Sequence, residues 1–162
     1  MRSVHRTSEG QAGGVNKPDT WFDDYHTHAA AAVFLLTTDH KLVLQLRDDK
    51  PDIHYPGMIT AFGGAAEPGE SPAECALREL AEETGIEAQA GDLHRLDAVS
   101  KVDFRGHPTA SVFFLLRHID PDALVITEGT AIVLSFAEAA ADPRLTENCR
   151  RLSAEIAAIL RQ

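Results

Sequence analysis

One segment, from Gly64 to Ile86, constrains this chain more than any other. It reads GAAEPGESPAECALRELAEETGI, a glycine-started loop followed by a run crowded with carboxylates. Ser71 can accept hydrogen bonds from the free amides of a first helical turn, and Pro72 suits the first helical position, where no N–H is needed. Gly85 can take the left-handed conformation that ends a helix. The segment therefore predicts a helix from about Pro72 to Thr84.

Three acids of this helix share one sector, because residues three and four positions apart lie on the same helical face. They are Glu79, Glu82 and Glu83. The roughly opposite side offers an apolar face to bury, formed by Ala73, Leu77, Leu80, Ala81 and Thr84. Carboxylates at this density repel one another unless a cation neutralises them, and oxygen ligands favour hard ions such as Mg²⁺ or Mn²⁺. The alternative is a solvated acidic face that only adds solubility.

The order of the residues carries a resemblance to a known family. Gly64, Glu70 and the run from Arg78 to Ile86, RELAEETGI, resemble the Nudix box, and every fixed position of that motif is filled. The resemblance implies an α/β fold, a Nudix-type α/β/α sandwich with a mixed β-sheet between helices. It also implies hydrolysis of a nucleoside diphosphate linked to another moiety, with Mg²⁺ or Mn²⁺ as cofactor. It leaves the identity of that moiety open.

The resemblance assigns metal coordination to Glu79, Glu82 and Glu83, together with the carbonyl oxygen of Gly64. Metal ions between these carboxylates and a diphosphate would neutralise the substrate, polarise phosphorus and lower the pKa of a bound water. The general base is expected to be Glu79 or Glu128. Glu128 precedes a glycine between two apolar runs, so it belongs to a turn that could approach the site or to an ordinary surface turn.

Other residues of the motif are expected to orient rather than to react. The planar guanidinium of Arg78 can hold carboxylates in a fixed fork. Glu70 precedes the helix, and we expect it to organise the loop or an outer water, or to pair with loop amides or Arg78. Gly85 ends the helix, while Gly64 lets the loop approach a ligand closely.

Residues that contact the substrate must come from the loops. Arg47 is a candidate for a phosphate contact, with a surface arginine at a strand end as the alternative. Tyr55 and Phe62 are candidates for stacking on a base, as are Trp21 and Phe22, although core packing is the commoner fate of a residue such as Phe62. Two loop histidines without a partner set, His54 and His107, are expected to be surface residues.

Bulk properties bound the remaining possibilities. With 162 residues, we expect a polar N-terminal arm over residues 1–20 and one domain over residues 21–162. The formal charge of −10 argues against a general nucleic-acid binder. Two cysteines favour a reduced, cytoplasmic setting, and no apolar stretch is long enough to span a membrane. The expected partner is a small nucleoside diphosphate derivative; the acidic surface does not forbid a homodimer.

Outside the motif, apolar runs and turn residues predict strands and one further helix. A hairpin is expected from the first two strands, and a turn-rich tip from Phe104 to Pro108. The strands are Ala29–Thr37, Leu42–Leu46, Met58–Phe62, Leu93–Asp103, Ala110–His118 and Thr130–Phe136, and the helix is Glu147–Leu160.

Two classes of function fit these residues. The first is a metal-dependent pyrophosphohydrolase acting on a nucleoside triphosphate, a nucleotide sugar or a dinucleotide. The second is a nucleotide-binding sensor or interaction module on the same fold, which would usually have lost carboxylates of the box. All of them are present here, which favours the hydrolase. An isomerase of isoprenoid diphosphates would resemble the box only loosely.

Overall fold

A computed structural model describes residues 30–96 and 110–162. Seven strands and three α-helices are present in these ranges, with two short 3₁₀ turns at Ala90–Asp92 and Pro121–Ala123. The strands are β1 (Ala30–Leu36), β2 (Leu42–Leu46), β3 (Ile59–Thr60), β4 (Phe62–Ala65), β5 (Leu93–Arg95), β6 (Ser111–Leu115) and β7 (Thr130–Leu134). The helices are α1 (Pro72–Thr84), α2 (Phe136–Ala141) and α3 (Glu147–Ile159).

Strand β1 is the centre of the mixed sheet. It runs parallel to β6 and antiparallel to β4, and its last residues pair with β2. Strand β2 in turn pairs with β3 and β7, while β5 pairs with β6. The predicted hairpin of the first two strands is confirmed by the pairing of Leu35 with Val43. A strand covered on both faces needs the nearly continuous apolar sequence that β1 has.

Apolar side chains leave the sheet on both faces and form two clusters. One packs under α2 and α3 and contains Phe34, Leu44, Leu152 and Ile156. The other packs under α1 and contains Val33, Val43, Phe62, Leu80 and Leu115. Because side chains alternate along a strand, Val43 and Leu44 belong to opposite clusters. The predicted sandwich with a mixed sheet between helices is confirmed.

Helix α1 begins and ends where its capping residues predict. Ser71 and Glu74 form a capping box, and Gly85, at φ 73°, donates its N–H to the carbonyl of Ala81. The predicted apolar face needs correction, because Ala73, Leu77 and Ala81 are only partly buried. The buried residues are Pro72, Cys75, Ala76, Leu80, Glu83 and Thr84. Small side chains at Cys75 and Ala76 let the helix lie close to the sheet. The helix is rotated about its axis relative to the prediction, so that Glu83 points inward.

The last predicted strand, Thr130–Phe136, is too long. Strand β7 ends at Leu134, and Ser135 instead caps the short helix α2 by accepting from the Glu138 N–H. The spacing of Ser135 and Glu138 is that of a capping box, a signal present in the sequence. The predicted strand Met58–Phe62 is interrupted at Ala61 and continues as β4.

Some predictions lie outside the described residues. These are the arm over residues 1–20, the tip from Phe104 to Pro108, and Trp21, Phe22 and His107. Within the described ranges, no helix combines the length and the apolar character needed to cross a membrane.

Candidate active site

Gly64, on strand β4, lies against Glu79 of α1. A Cβ at Gly64 would lie 2.6 Å from Glu79 Oε1, so the glycine is needed for this approach. The thiol of Cys75 donates to the Gly64 carbonyl oxygen at 3.7 Å. Gly63 is required for a different reason, because at φ 149° its Cβ would stand 2.1 Å from the Ala31 carbonyl oxygen. The double glycine therefore lets β4 lie close to both β1 and α1.

Arg78 connects the loop to the acids of α1. Its Nε and Nη2 donate to the two carboxylate oxygens of Glu70 at 2.7 and 3.0 Å. Its Nη1 donates to Glu79 at 2.7 Å and to Glu82 at 3.2 Å, and Nη2 also reaches the Ala65 carbonyl. These hydrogen bonds hold the pKa of Glu70 at about 2. Arg78 thus has the geometry of an orienting residue, and Glu70 is its partner.

Glu83 is the buried acid of the set, with 5% of its surface exposed. Its Oε2 accepts from the Gly63 N–H at 2.7 Å, and its Oε1 accepts from Gln45 Nε2 at 3.4 Å. Burial raises the pKa of Glu83 to about 7; the two hydrogen bonds oppose that rise, and the nearby charges of Glu79 and Glu128 add to it. A carboxylate in this environment is stabilised by a cation.

Gln45 is a functional candidate that sequence reasoning missed. It is 1% exposed and lies on β2, where its side chain links Glu83 to the carbonyl of Glu128, 3.1 Å away. Its carbonyl oxygen accepts from Arg47 Nη1 at 3.2 Å. The available signal was a polar residue inside the apolar strand LVLQL.

The turn that carries Glu128 is docked on the end of α1. Thr127 donates its N–H to the Glu83 carbonyl at 3.2 Å and its hydroxyl to the Glu82 carbonyl at 3.0 Å. Gly129, at φ 62°, passes so close to β2 that a Cβ would be 2.3 Å from the Leu46 carbonyl oxygen. Glu128 itself is exposed. The turn is therefore held by the hydrogen bonds of Thr127 and by the close approach of Gly129, while Glu128 stays exposed.

Most of the predicted site residues line a single cavity of about 680 Å³. Of these, it is lined by Arg47, Tyr55, Gly64, Glu79, Glu82, Glu83 and Glu128. His54 is exposed, as expected of a surface residue, and also lines the cavity. Thr60 lies in the wall with a buried hydroxyl that has no hydrogen-bond partner among the described residues.

Phe62 is a correction to the predicted site. It is fully buried in the cluster under α1 and does not line the cavity. The ring points into the core because side chains alternate along β4, and it is the backbone of the neighbouring Gly63 that lies close against β1. Core packing, the alternative interpretation, describes this residue.

The three acids differ in position although they share the cavity. Glu82 has 61% of its side chain exposed, in contrast to buried Glu83. Within the described ranges, no three or more His, Cys, Asp or Glu side chains are grouped closely enough to hold a metal ion. Glu79 and Glu82 pair with Arg78 at 2.7 and 3.2 Å, whereas Glu83 accepts from Gly63 and Gln45. The donor set of carboxylates beside a backbone carbonyl nevertheless matches the ligand preference of Mg²⁺.

The chain is similar in sequence to two proteins that are named for hydrolase activities. An ADP-ribose pyrophosphatase from Methanocaldococcus jannaschii is 33% identical over 91 residues, 56% of this chain and 52% of that protein. The NAD-capped RNA hydrolase ndx-9 from Caenorhabditis elegans is 39% identical over 69 residues, 41% of this chain and 17% of that protein. The matches thus span about half or less of these relatives.

The fold is shared with solved structures and with one domain family. A MutT protein from Methanosarcina mazei Go1 superposes with a TM-score of 0.65 at 19% identity, over 82% of this chain and 94% of that one. A Caenorhabditis elegans Ap4A hydrolase gives 0.59 at 16% identity, over 82% and 98%. The NUDIX domain family matches residues 26–154. The chain therefore belongs to the Nudix hydrolase family.

Proposed function

We propose that this protein is a metal-dependent pyrophosphohydrolase that cleaves a nucleoside diphosphate linked to another moiety by attack of water on phosphorus. The observation that carries the proposal is the shared lining of one cavity by Glu79, Glu82 and Glu83 with Arg47. Acids that bind a cation and an arginine that binds phosphate are the two groups that an anionic diphosphate requires.

Glu79, Glu82 and Glu83 would hold Mg²⁺ or Mn²⁺ together with the Gly64 carbonyl. A bound divalent cation supplies charge neutralisation, polarisation of phosphorus and a water of lowered pKa. The buried Glu83 supports this role, because a carboxylate at 5% exposure is costly to ionise without a cation, even with two hydrogen bonds. Glu82 must leave Arg78 to join it, and its exposed side chain is free to move.

The cavity also suits the rest of the substrate. Ligand pockets commonly measure about 300–1,000 Å³, and this cavity measures about 680 Å³. Arg47 would bind a phosphate through its guanidinium, whose Nε is buried and has no hydrogen-bond partner among the described residues. Tyr55 at the rim, 59% exposed, would stack on the base.

Glu128 is proposed as the general base, with Glu79 as the second candidate. Glu128 lies at the cavity on a fixed turn and is exposed, so its carboxylate can reach a water beside the diphosphate. Glu79 is held by Arg78 at 2.7 Å, which favours ligation over proton transfer.

ADP-ribose is the first substrate to test, since a relative with that activity in its name aligns over 56% of this chain. Because an NAD-capped RNA hydrolase is among the relatives, a capped RNA is the second substrate to test. The net charge of −10 favours a small ligand over a polyanion.

The test is hydrolysis of a panel with Mg²⁺ in ¹⁸O-labelled water, with products identified by mass spectrometry. The panel contains ADP-ribose, nucleoside triphosphates, nucleotide sugars, dinucleotides and an NAD-capped RNA. Glu83→Gln should abolish cleavage, whereas the control Glu87→Gln, four residues later, beyond the end of α1 and outside the cavity lining, should not. One ¹⁸O atom in a phosphate product would establish attack on phosphorus. Nucleotide binding without any cleavage would instead identify a sensor.

A further inference from the structure

We infer that Gln45 is a positioning residue of this site, one that sets the separation between the cation-binding acid, the phosphate-binding arginine and the turn of the proposed base. The inference rests on the proposed function. The observation behind the inference does not depend on that proposal, because it is the set of hydrogen bonds that one buried side-chain amide forms.

Both the nitrogen and the oxygen of the Gln45 side-chain amide form hydrogen bonds. Nε2 donates to Glu83 Oε1 at 3.4 Å and to the Glu128 carbonyl at 3.1 Å. The amide oxygen accepts from Arg47 Nη1 at 3.2 Å. These three partners come from α1, from the turn before β7 and from the residue that follows β2. Gln45 is the group that all three contact.

The fold alone does not call for a polar residue here. Gln45 lies two residues after Val43 on β2, so it faces the apolar cluster under α1. A buried amide destabilises such a position unless it is hydrogen-bonded, and an apolar side chain of similar shape would pack as well. Among the described residues, every hydrogen bond of the Gln45 side chain goes to a part of the candidate site. The amide is therefore explained by the site.

The Arg47 contact also orients the phosphate-binding group. Arg47 directly follows β2, and its side chain contacts that of Gln45, two residues earlier, through Nη1. With Nη1 held by Gln45, the buried Nε remains without a hydrogen-bond partner among the described residues. A phosphate oxygen would satisfy that donor. Loss of Gln45 would let the guanidinium swing away and leave Glu83 with one hydrogen bond fewer.

Gln45→Met tests this, because methionine keeps the length and volume of the side chain but cannot form these hydrogen bonds. Mn²⁺ affinity is measured by electron paramagnetic resonance without nucleotide, and ADP affinity by calorimetry at saturating Mn²⁺. We expect Mn²⁺ affinity to fall roughly 10-fold to 100-fold, as for other residues that orient metal ligands. We expect ADP affinity to fall roughly 10-fold to 150-fold, as for a lost hydrogen bond to a charged group.

The control is Val43→Ala, on the same strand and face, which should lower stability without changing either affinity. A double-mutant cycle isolates the Arg47 contact. On an Arg47→Met background, Gln45→Met should lower ADP affinity by less than about 2-fold, whereas independent sites would add their effects. Full additivity, unchanged affinities in Gln45→Met, or equal losses in Val43→Ala would each overturn the inference.

The two proposals fail in different ways. If the wild-type protein cleaves nothing in the substrate panel while the affinities change as expected, the hydrolase proposal fails and the positioning role stands. If the wild-type protein cleaves a substrate and Gln45→Met keeps its affinities and its kcat and KM, the positioning role alone fails.

Discussion

Arg78 binds both carboxylate oxygens of Glu70, through Nε at 2.7 Å and Nη2 at 3.0 Å. The Glu70 side chain is 11% exposed, so this fork is shielded from water more than a surface ion pair. The same guanidinium reaches Glu79 at 2.7 Å. Arg78, which does not line the cavity, therefore fixes the position of Glu79, which does.

Glu70→Gln should destabilise the fold at neutral pH and little at low pH. The pKa of Glu70 is about 2 in the folded protein against an ordinary 4.5. A lowered pKa stabilises the fold fully above the ordinary value, and that contribution is lost as the pH falls from 4.5 toward 2. After allowance for solvent screening, we expect a loss of about 1–2 kcal/mol at pH 7. Urea unfolding of both proteins at pH 7 and pH 2 measures it.

The control is Asp39→Asn, which removes an ion pair with Lys41 at the surface. It should change the free energy of unfolding less than Glu70→Gln does. An equal destabilisation of Glu70→Gln at both pH values would show that the fork contributes through packing and not through charge.

The helix of the site was predictable because its signals are local. Ser71, Pro72 and Gly85 act within a few residues of themselves, and the bounds Pro72–Thr84 follow from them. The contrast between buried Glu83 and exposed Glu82 was not predictable, since it depends on how α1 is rotated against β1 and β4. Adjacent residues on a helix point about 100° apart, so a small rotation decides which acid is buried.

Gln45 shows the other limit of the sequence. Its partners Glu83 and Glu128 lie 38 and 83 residues away in the chain, and no local pattern connects them. Only the pairing of β2 with β7 and the docking of the turn on α1 bring them together. The prediction that Phe62 stacks on a base was wrong for a similar reason. An aromatic residue before two glycines fits a stacking role, and only the orientation of its strand shows that the ring points into the core.

The two glycines before α1 should respond differently to alanine. Gly63→Ala would place a Cβ 2.1 Å from the Ala31 backbone oxygen, which cannot move without breaking the sheet, so we expect the variant not to fold. Gly64→Ala would meet the carboxylate of Glu79 at 2.6 Å, the flexible end of a side chain. The fold should survive, with activity lowered roughly 10-fold to 100-fold because Glu79 is displaced. Circular dichroism and hydrolysis rates distinguish the two.

Gly69→Ala is the matched control for this pair, because its Cβ would meet nothing within 4 Å although φ is +79°. It should fold with a modest loss of stability and keep its activity. A fully active Gly64→Ala would show that Glu79 does not need its position against the loop.

Two aromatic residues should separate substrate binding from stability. Phe62→Ala empties a fully buried position and should destabilise the protein by about 3–5 kcal/mol. Tyr55→Ala removes an exposed ring at the cavity rim, so stability should change little while KM rises roughly 5-fold or more if the ring stacks on the base. Unfolding midpoints and steady-state kinetics are the measurements. An unchanged KM in Tyr55→Ala would remove Tyr55 from the binding site.

The choice between Glu128 and Glu79 as base can be made from two alanine variants. If Glu128 is the base, Glu128→Ala should lower kcat roughly 100-fold to 10,000-fold with Mn²⁺ affinity nearly unchanged. Glu79→Ala should lower Mn²⁺ affinity, since its carboxylate stands against Gly64 in the cavity. Asp48→Asn, which changes an acid near the same turn, serves as the control for surface charge. A large loss of kcat in Glu79→Ala with full metal affinity, and none in Glu128→Ala, would transfer the role to Glu79.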